Sequence, residues 1–321
     1  MKRTLAILFF CIAFAMAGQA VAKTNFISIG TGGTGGIYYP YGGGVAEIWS
    51  KNVAGIRAVA EVTGASVENV KLAHKGETVV GEVMGDVAEA GFNGTGKFKG
   101  KKHNIKTLAI MYPNLLQVVT LKKSGITNIE QSKGKRISSG SPGSGTNFMS
   151  EAVFKALGIA LDSYKDSRLS FTESANALRD GTIDVGIWSV GPGTSSILDL
   201  STTHDIHIIE FTPEQTKKVL AANKNYSGVE LSGGLYRGAD NPIPTIGVWN
   251  VMICQASLDT DMAYNLVKAL YEHNDYLKKI HPSAAYTTPQ NVVKYSPIPL
   301  HPGTVKYLKE KGVDIPAKLM P

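Results

Sequence analysis

Apolar and polar positions along this chain switch repeatedly between a period of two and a period near 3.6, the mark of strands followed by amphipathic helices. "NFISIG" alternates and predicts a strand that runs into five glycines within residues 30–36. "YYPYGGGVAEIWSKN" (38–52) predicts a helix, with Pro40 acceptable in its first turn. "IRAVAEV" predicts a second strand, and the helix after it is opened by Thr63 or Ser66. "DVAEAGF" (86–92) reads as a third strand, and residues 107–121 as a long β run broken at Pro113. The same grammar then recurs: strand "KRISSG", small-residue loop "SPGSGT", helix "NFMSEAVFKALG", strand "SRLSFT", helix "ESANALRDG", strand "TIDVGIWSVG" and helix "GTSSILDLST". A second long β run, "TIGVWNVMICQASL", leads to one helix over 259–280 with Asp259 as its N-cap, and Pro302 leads a last helix. "GEVMGDVAEAGF" (81–92) and "ALRDGTIDVGIW" (177–188) resemble each other, as if one supersecondary plan were used twice.

Strands alternating with helices imply an α/β fold with mostly parallel sheets. Two such units joined by two long β runs predict two lobes, a central cleft and a double-crossing hinge. Lobe I takes residues 23–118 and 252–321, and lobe II residues 119–251.

Residues 1–22 combine Lys2-Arg3, an apolar run over 5–17 and Ala20-Val21-Ala22. That order predicts a cleavable secretory signal peptide, because the run is too short to span a bilayer. Cys11 lies in the run without the small residue that a lipoprotein signal places before its cysteine. Cys254 is then the one remaining thiol, so stability rests on packing and not on disulfides. The formal charge is +7, of which Lys2 and Arg3 carry two. The dense basic run is "KFKGKKHNIK" (97–106), read either as a solvated segment or as a docking patch for an acidic partner or membrane surface. No nucleic-acid motif is present.

The candidate chemistry lies in four small-residue loops between strand and helix: Gly30–Gly36, Thr63–Ser66, Ser139–Thr146 and Thr172–Ser174. A helix start leaves backbone N–H groups unpaired and carries partial positive charge, so an anion meets both. Four such mouths on one cleft would hold a small carboxylate without an arginine. Gly30, Gly32 and Gly35 also fit G-x-G-x-x-G, which raises an exported dinucleotide-dependent oxidoreductase as an alternative. That fingerprint expects an acidic residue some 20 positions on. Glu47 falls inside the first helix, and Tyr38-Tyr39-Pro40 crowd the helix start. "GSPGSGTN" lacks the G-K-[ST] end of a P-loop, and no G-x-S-x-G or H-E-x-x-H occurs. His204 and His207 read as a surface pair, not a metal site. Asn93 and Asn225 each begin an N-x-[ST] sequon, with nothing in the leader to select a glycosylating cell. No cofactor, metal or catalytic residue is expected.

Taken in order, "SIGTGGTGGIYYPYGG", "TGASVENVKL", "GFNGTGKF", "SSGSPGSGT" and "LHPGTVKYLKEKG" resemble the TAXI family across nearly the whole chain after the signal. These are the extracytoplasmic solute-binding subunits of tripartite ATP-independent periplasmic (TRAP) transporters. The resemblance implies a type II periplasmic-binding-protein fold and a periplasmic, monomeric, non-enzymatic binder that delivers its solute to TRAP membrane permease subunits driven by an ion gradient. Family ligands are mostly small carboxylates, so glutamate, glutamine, 2-oxoglutarate or a related C4–C5 acid is implied. A periplasmic receptor that feeds a sensor is the alternative. The ligand contacts carried over are Gly33, Thr34, Gly35 and Tyr38; Thr63 and Ser66; Asn93; Ser141, Ser144, Gly145 and Thr146; and Trp188. In the second loop the family often has T-G-G-S, where this chain has Ala65.

Overall fold

Ten strands join in one mixed sheet, parallel at its two ends and antiparallel at its centre. The computed structural model describes residues 24–321; the signal segment expected over 1–22 lies outside them. At one end, β1 (Asn25–Gly30) pairs in parallel with β2 (Ile56–Glu61) and β3 (Val80–Met84). At the other, β5 (Arg136–Ser138) pairs in parallel with β6 (Lys165–Asp166) and β7 (Val185–Val190). Between them lie the two longest strands, β4 (Ile105–Leu121) and β10 (Ile243–Gln255), antiparallel to each other. β8 (Ile206–Ile209) and β9 (Tyr226–Leu231) complete the sheet. The parallel ends agree with the alternating pattern, but the centre is antiparallel, because both long runs return along the same seam.

In the first lobe, α1 (Tyr38–Asn52) buries Tyr41, Val45, Ile48 and Trp49 at helical spacing. α2 (Ser66–Lys75) and α3 (Gly85–Asn93) follow β2 and β3. The second lobe carries α4 (Gly145–Ala156), α5 (Phe171–Arg179), α6 (Ser195–Thr203) and α7 (Pro213–Ala222). α8 (Thr260–Glu272), α9 (Asn274–Ile280), α10 (Pro289–Tyr295) and α11 (Pro302–Glu310) finish the chain. α8 returns to the first lobe, where the Trp49 indole donates to the Leu266 carbonyl at 2.9 Å.

Several sequence readings need correction. Residues 86–92 are helix, not strand; the strand is the buried run 80–84 just before them. The stretch 80–92 is mostly buried and rich in small and apolar residues, and periodicity does not separate a buried strand from a buried helix. The resemblance between 81–92 and 177–188 therefore does not reflect a shared plan. β4 runs unbroken through Pro113, which lies opposite Trp249 where the register with β10 shifts. A bulge accommodates the missing donor. "SRLSFT" is not a strand either: Ser170 caps α5 and forms a capping box with Glu173. The long helix over 259–280 divides at His273, because the buried Asn274 amide donates to the Ala284 and Thr287 carbonyls. Asp259 does cap α8, accepting from the Met262 amide at 2.8 Å.

Candidate ligand-binding cleft

The starts of α1, α2, α4 and α5 meet at one cavity of about 490 Å³ between the two lobes, a size suited to a small molecule. Ten of the twelve expected site residues line it: Gly33, Thr34, Gly35, Tyr38, Thr63, Ser66, Ser141, Ser144, Gly145 and Thr146. Glu173 is the one charged side chain in the lining, and its carboxyl is held below the usual carboxylate range by hydrogen bonds from Ser170.

Several of these groups are engaged with the protein. Ser144 Oγ accepts from the Asn147 amide at 3.0 Å, capping α4. Thr146 Oγ1 accepts from the Ser189 amide at 3.2 Å, and Ser66 Oγ from the Met84 amide at 3.1 Å. Thr63 Oγ1 donates to Asn69 Oδ1 at 2.7 Å. Tyr38 turns its hydroxyl away to donate to Asn250 Oδ1 at 2.6 Å. The backbone does more. Among the described residues, the Gly145 and Thr146 amides at the start of α4 have no acceptor. At the start of α2 two amides are occupied: Val67 and Glu68 donate to the Gly143 carbonyl of the other lobe at 2.9 and 3.3 Å. That helix start thus holds the lobes together. On the opposite rim, Thr194 Oγ1 donates to the Gly35 carbonyl at 3.1 Å. Gly35 and Gly36 face Thr172 and Phe171 of the second lobe, so these glycines serve close approach between lobes.

Asn93 and Trp188 are outside the cleft. Asn93 ends α3, a helix length from the cavity, and lines a separate pocket; as a strand-end residue it would have faced the ligand. Met84 occupies the cleft position instead. Trp188 is fully buried, donates to Ser196 Oγ at 3.1 Å and stacks behind Phe171, which forms the wall. Sequence reasoning missed Met84, Asn114, Phe171 and Ser189. A signal existed for Phe171: Ser170-x-x-Glu173 is a capping box that places the next residue at a helix start.

Ala65 stands at φ 70°, ψ −145°, a conformation suited to glycine. Its amide donates to Thr63 Oγ1 at 3.0 Å and its carbonyl accepts from Asn69 at 2.8 Å, so the strain has no relief. Ala65→Gly should raise stability by ~1 kcal/mol in urea unfolding, once glycine's own entropic cost is subtracted; a loss of stability would refute the strain.

Residues 29–312 match the NMT1-like family. The chain belongs to that family. Solved structures share the architecture of this NMT1-like protein. A protein of Bordetella bronchiseptica RB50 aligns over 90% of this chain and 83% of its own, at 18% identity and a TM-score of 0.56. An L-cystine ABC transporter candidate of Listeria monocytogenes aligns over 83% and 98%, at 13% identity and a TM-score of 0.50. A Xanthomonas citri protein bound to ATP aligns over 89% and 95%, at 13% identity and a TM-score of 0.50. At such identities the likeness shows the fold, which is the two-lobed α/β architecture of periplasmic binding proteins.

Proposed function

We propose that this NMT1-like chain is a periplasmic solute-binding protein of the TAXI type. It would capture a small carboxylate between its lobes and deliver it to a TRAP permease, without catalysis. The observation that carries the reading is a two-lobe cavity with no lysine, arginine or histidine in its lining and helix starts around it with amides, Gly145 and Thr146 among them, that have no acceptor among the described residues. Hydrogen bonds to a charged group contribute roughly 1.5–3 kcal/mol each, so a few suffice for micromolar affinity. β4 and β10, continuous across the seam, would serve as the hinge.

Charge narrows the ligand. A dicarboxylate that lacks an ammonium would place its second charge near Glu173, with no cation to balance it. A zwitterion would instead set its ammonium against that carboxylate. Glutamate and glutamine should therefore bind at least about tenfold, ~1.4 kcal/mol, more tightly than 2-oxoglutarate and succinate. Calorimetry on ligand-stripped protein measures this, with Glu173→Gln expected to erase the preference. No heat from any of the four acids would remove the carboxylate reading. Binding with the reverse order would remove the role of Glu173 alone.

A further inference from the structure

A second cavity, of about 570 Å³, shares no lining residue with the cleft. Both lobes and the C-terminal segment build it: Glu89 and Phe92 on α3, Lys224 before β9, Trp249 on β10, then Lys294 and Lys318. Its charge is the reverse of the cleft's. Three lysines face one acid, Glu89, which is already paired with Lys224 at 2.7 Å and accepts from the Asn225 side-chain Nδ2 at 2.6 Å. Lys294 and Lys318 are exposed and pair with no carboxylate among the described residues. The basic run 97–106 borders this rim: Lys106 Nζ lies 5.9 Å from the Phe92 ring centroid, and Gly94 packs on the Gly100–Lys102 backbone. Half-buried Trp249, stacked on Tyr295 at 3.7 Å, gives the cavity an apolar wall.

We propose that this cavity and its lysine rim are a docking surface for an acidic segment of another polypeptide. Carboxylates would meet Lys294 and Lys318, and an aromatic or aliphatic side chain would enter against Trp249. The concavity favours a protruding side chain over a flat lipid surface. Exposed ion pairs contribute little singly and are screened by salt, so the contact is weak, transient and salt-sensitive. It does not depend on what the cleft binds.

The probe is a fluorescein-labelled EDFEED peptide, read by anisotropy against the full protein. Lys294→Glu with Lys318→Glu should weaken binding at least about fivefold. The charge-matched pair Lys123→Glu with Lys133→Glu, at exposed sites elsewhere, should change it less than about twofold. Unlabelled peptide should also shift tryptophan emission through Trp249, because Trp49 and Trp188 are fully buried. Equal loss in both pairs would mean general polyanion attraction and overturn the proposal. So would absence of peptide binding, or binding only to phosphatidylglycerol vesicles. An unchanged melting temperature in the Lys294/Lys318 variant checks its fold whether or not the cleft ligand is known.

Discussion

Gly145→Val should lower affinity for the cleft ligand about a hundredfold, ~2.7 kcal/mol, while the unliganded protein melts within about 2 °C of the wild type. Gly145 opens α4 in the second lobe, and a Cβ there would collide with Met84 Sδ and stand 2.6 Å from Ser66 Oγ, both in the first lobe. Its φ is not left-handed, so valine is sterically acceptable within its own lobe. The clash exists only when the lobes meet. Met84 can swing, but Ser66 is held by its bond to the Met84 amide, and valine's branch fills the remaining space. A ligand that must touch both lobes then binds a state the variant cannot reach. Calorimetry with the best binder among glutamate, glutamine, 2-oxoglutarate and succinate gives the affinity. Solution scattering gives an independent reading, since the variant should have the larger radius of gyration. Wild-type affinity together with an unchanged radius would show that Gly145 is not at a closing contact.

Glu82→Gln should reduce a decline in stability with rising pH. Glu82 is fully buried on β3, and neither carboxyl oxygen has a partner among the described residues. The Tyr112 hydroxyl, also unpartnered, is among the tyrosines that sense its charge, with Tyr38 and Tyr41. Gly42 of α1 keeps the space beside it open, since a Cβ there would stand 3.1 Å from Glu82 Oε1. Burial pushes the Glu82 carboxyl well above the usual carboxylate range. The folded protein therefore holds this proton more tightly than the unfolded chain, whose glutamates titrate near about 4.3. The contribution of Glu82 to stability is complete below that pH and is lost as pH rises through the folded pKa. Each pH unit within that window costs about 1.4 kcal/mol. Wild type and Glu82→Gln should show similar pH slopes below about pH 4; above it the wild type should lose more melting temperature, about 2–4 °C per kcal/mol, while buried Asp86, its carboxyl pushed up to about 6, leaves a shared decline in both. Parallel slopes up to pH 8 would mean that the carboxyl is not a desolvated acid.

Both predictions depend on positions that local pattern leaves silent. Glycine at 145 looks like any helix-start glycine, and nothing in "VGEVM" shows that Glu82 lies fully buried under α1. The same limit explains the two misplaced site residues. "DVAEAGF" is short and rich in small and apolar residues, which reads as a strand ending at Asn93; as a helix it carries Asn93 away. Trp188 sits at the right strand, but its neighbours make it core: Gly186 leaves room for its ring and Phe171 covers it.

What the chain states by itself is short-ranged. Period-two and period-3.6 runs mark most elements, capping residues such as Asp259 and Ser144 mark helix starts, and glycines mark where backbone must come close. These features depend on neighbours within a few residues, so the alternating α/β plan and the four small-residue mouths around the cleft are legible. The tertiary structure alone decided which polar groups stay free for a ligand. The Val67 and Glu68 amides of α2 are taken by Gly143, 76 and 75 positions away in the chain, while the Gly145 and Thr146 amides of α4 are left open. Hydrogen bonds are saturable, and the partner that saturates each one arrives only when distant segments meet.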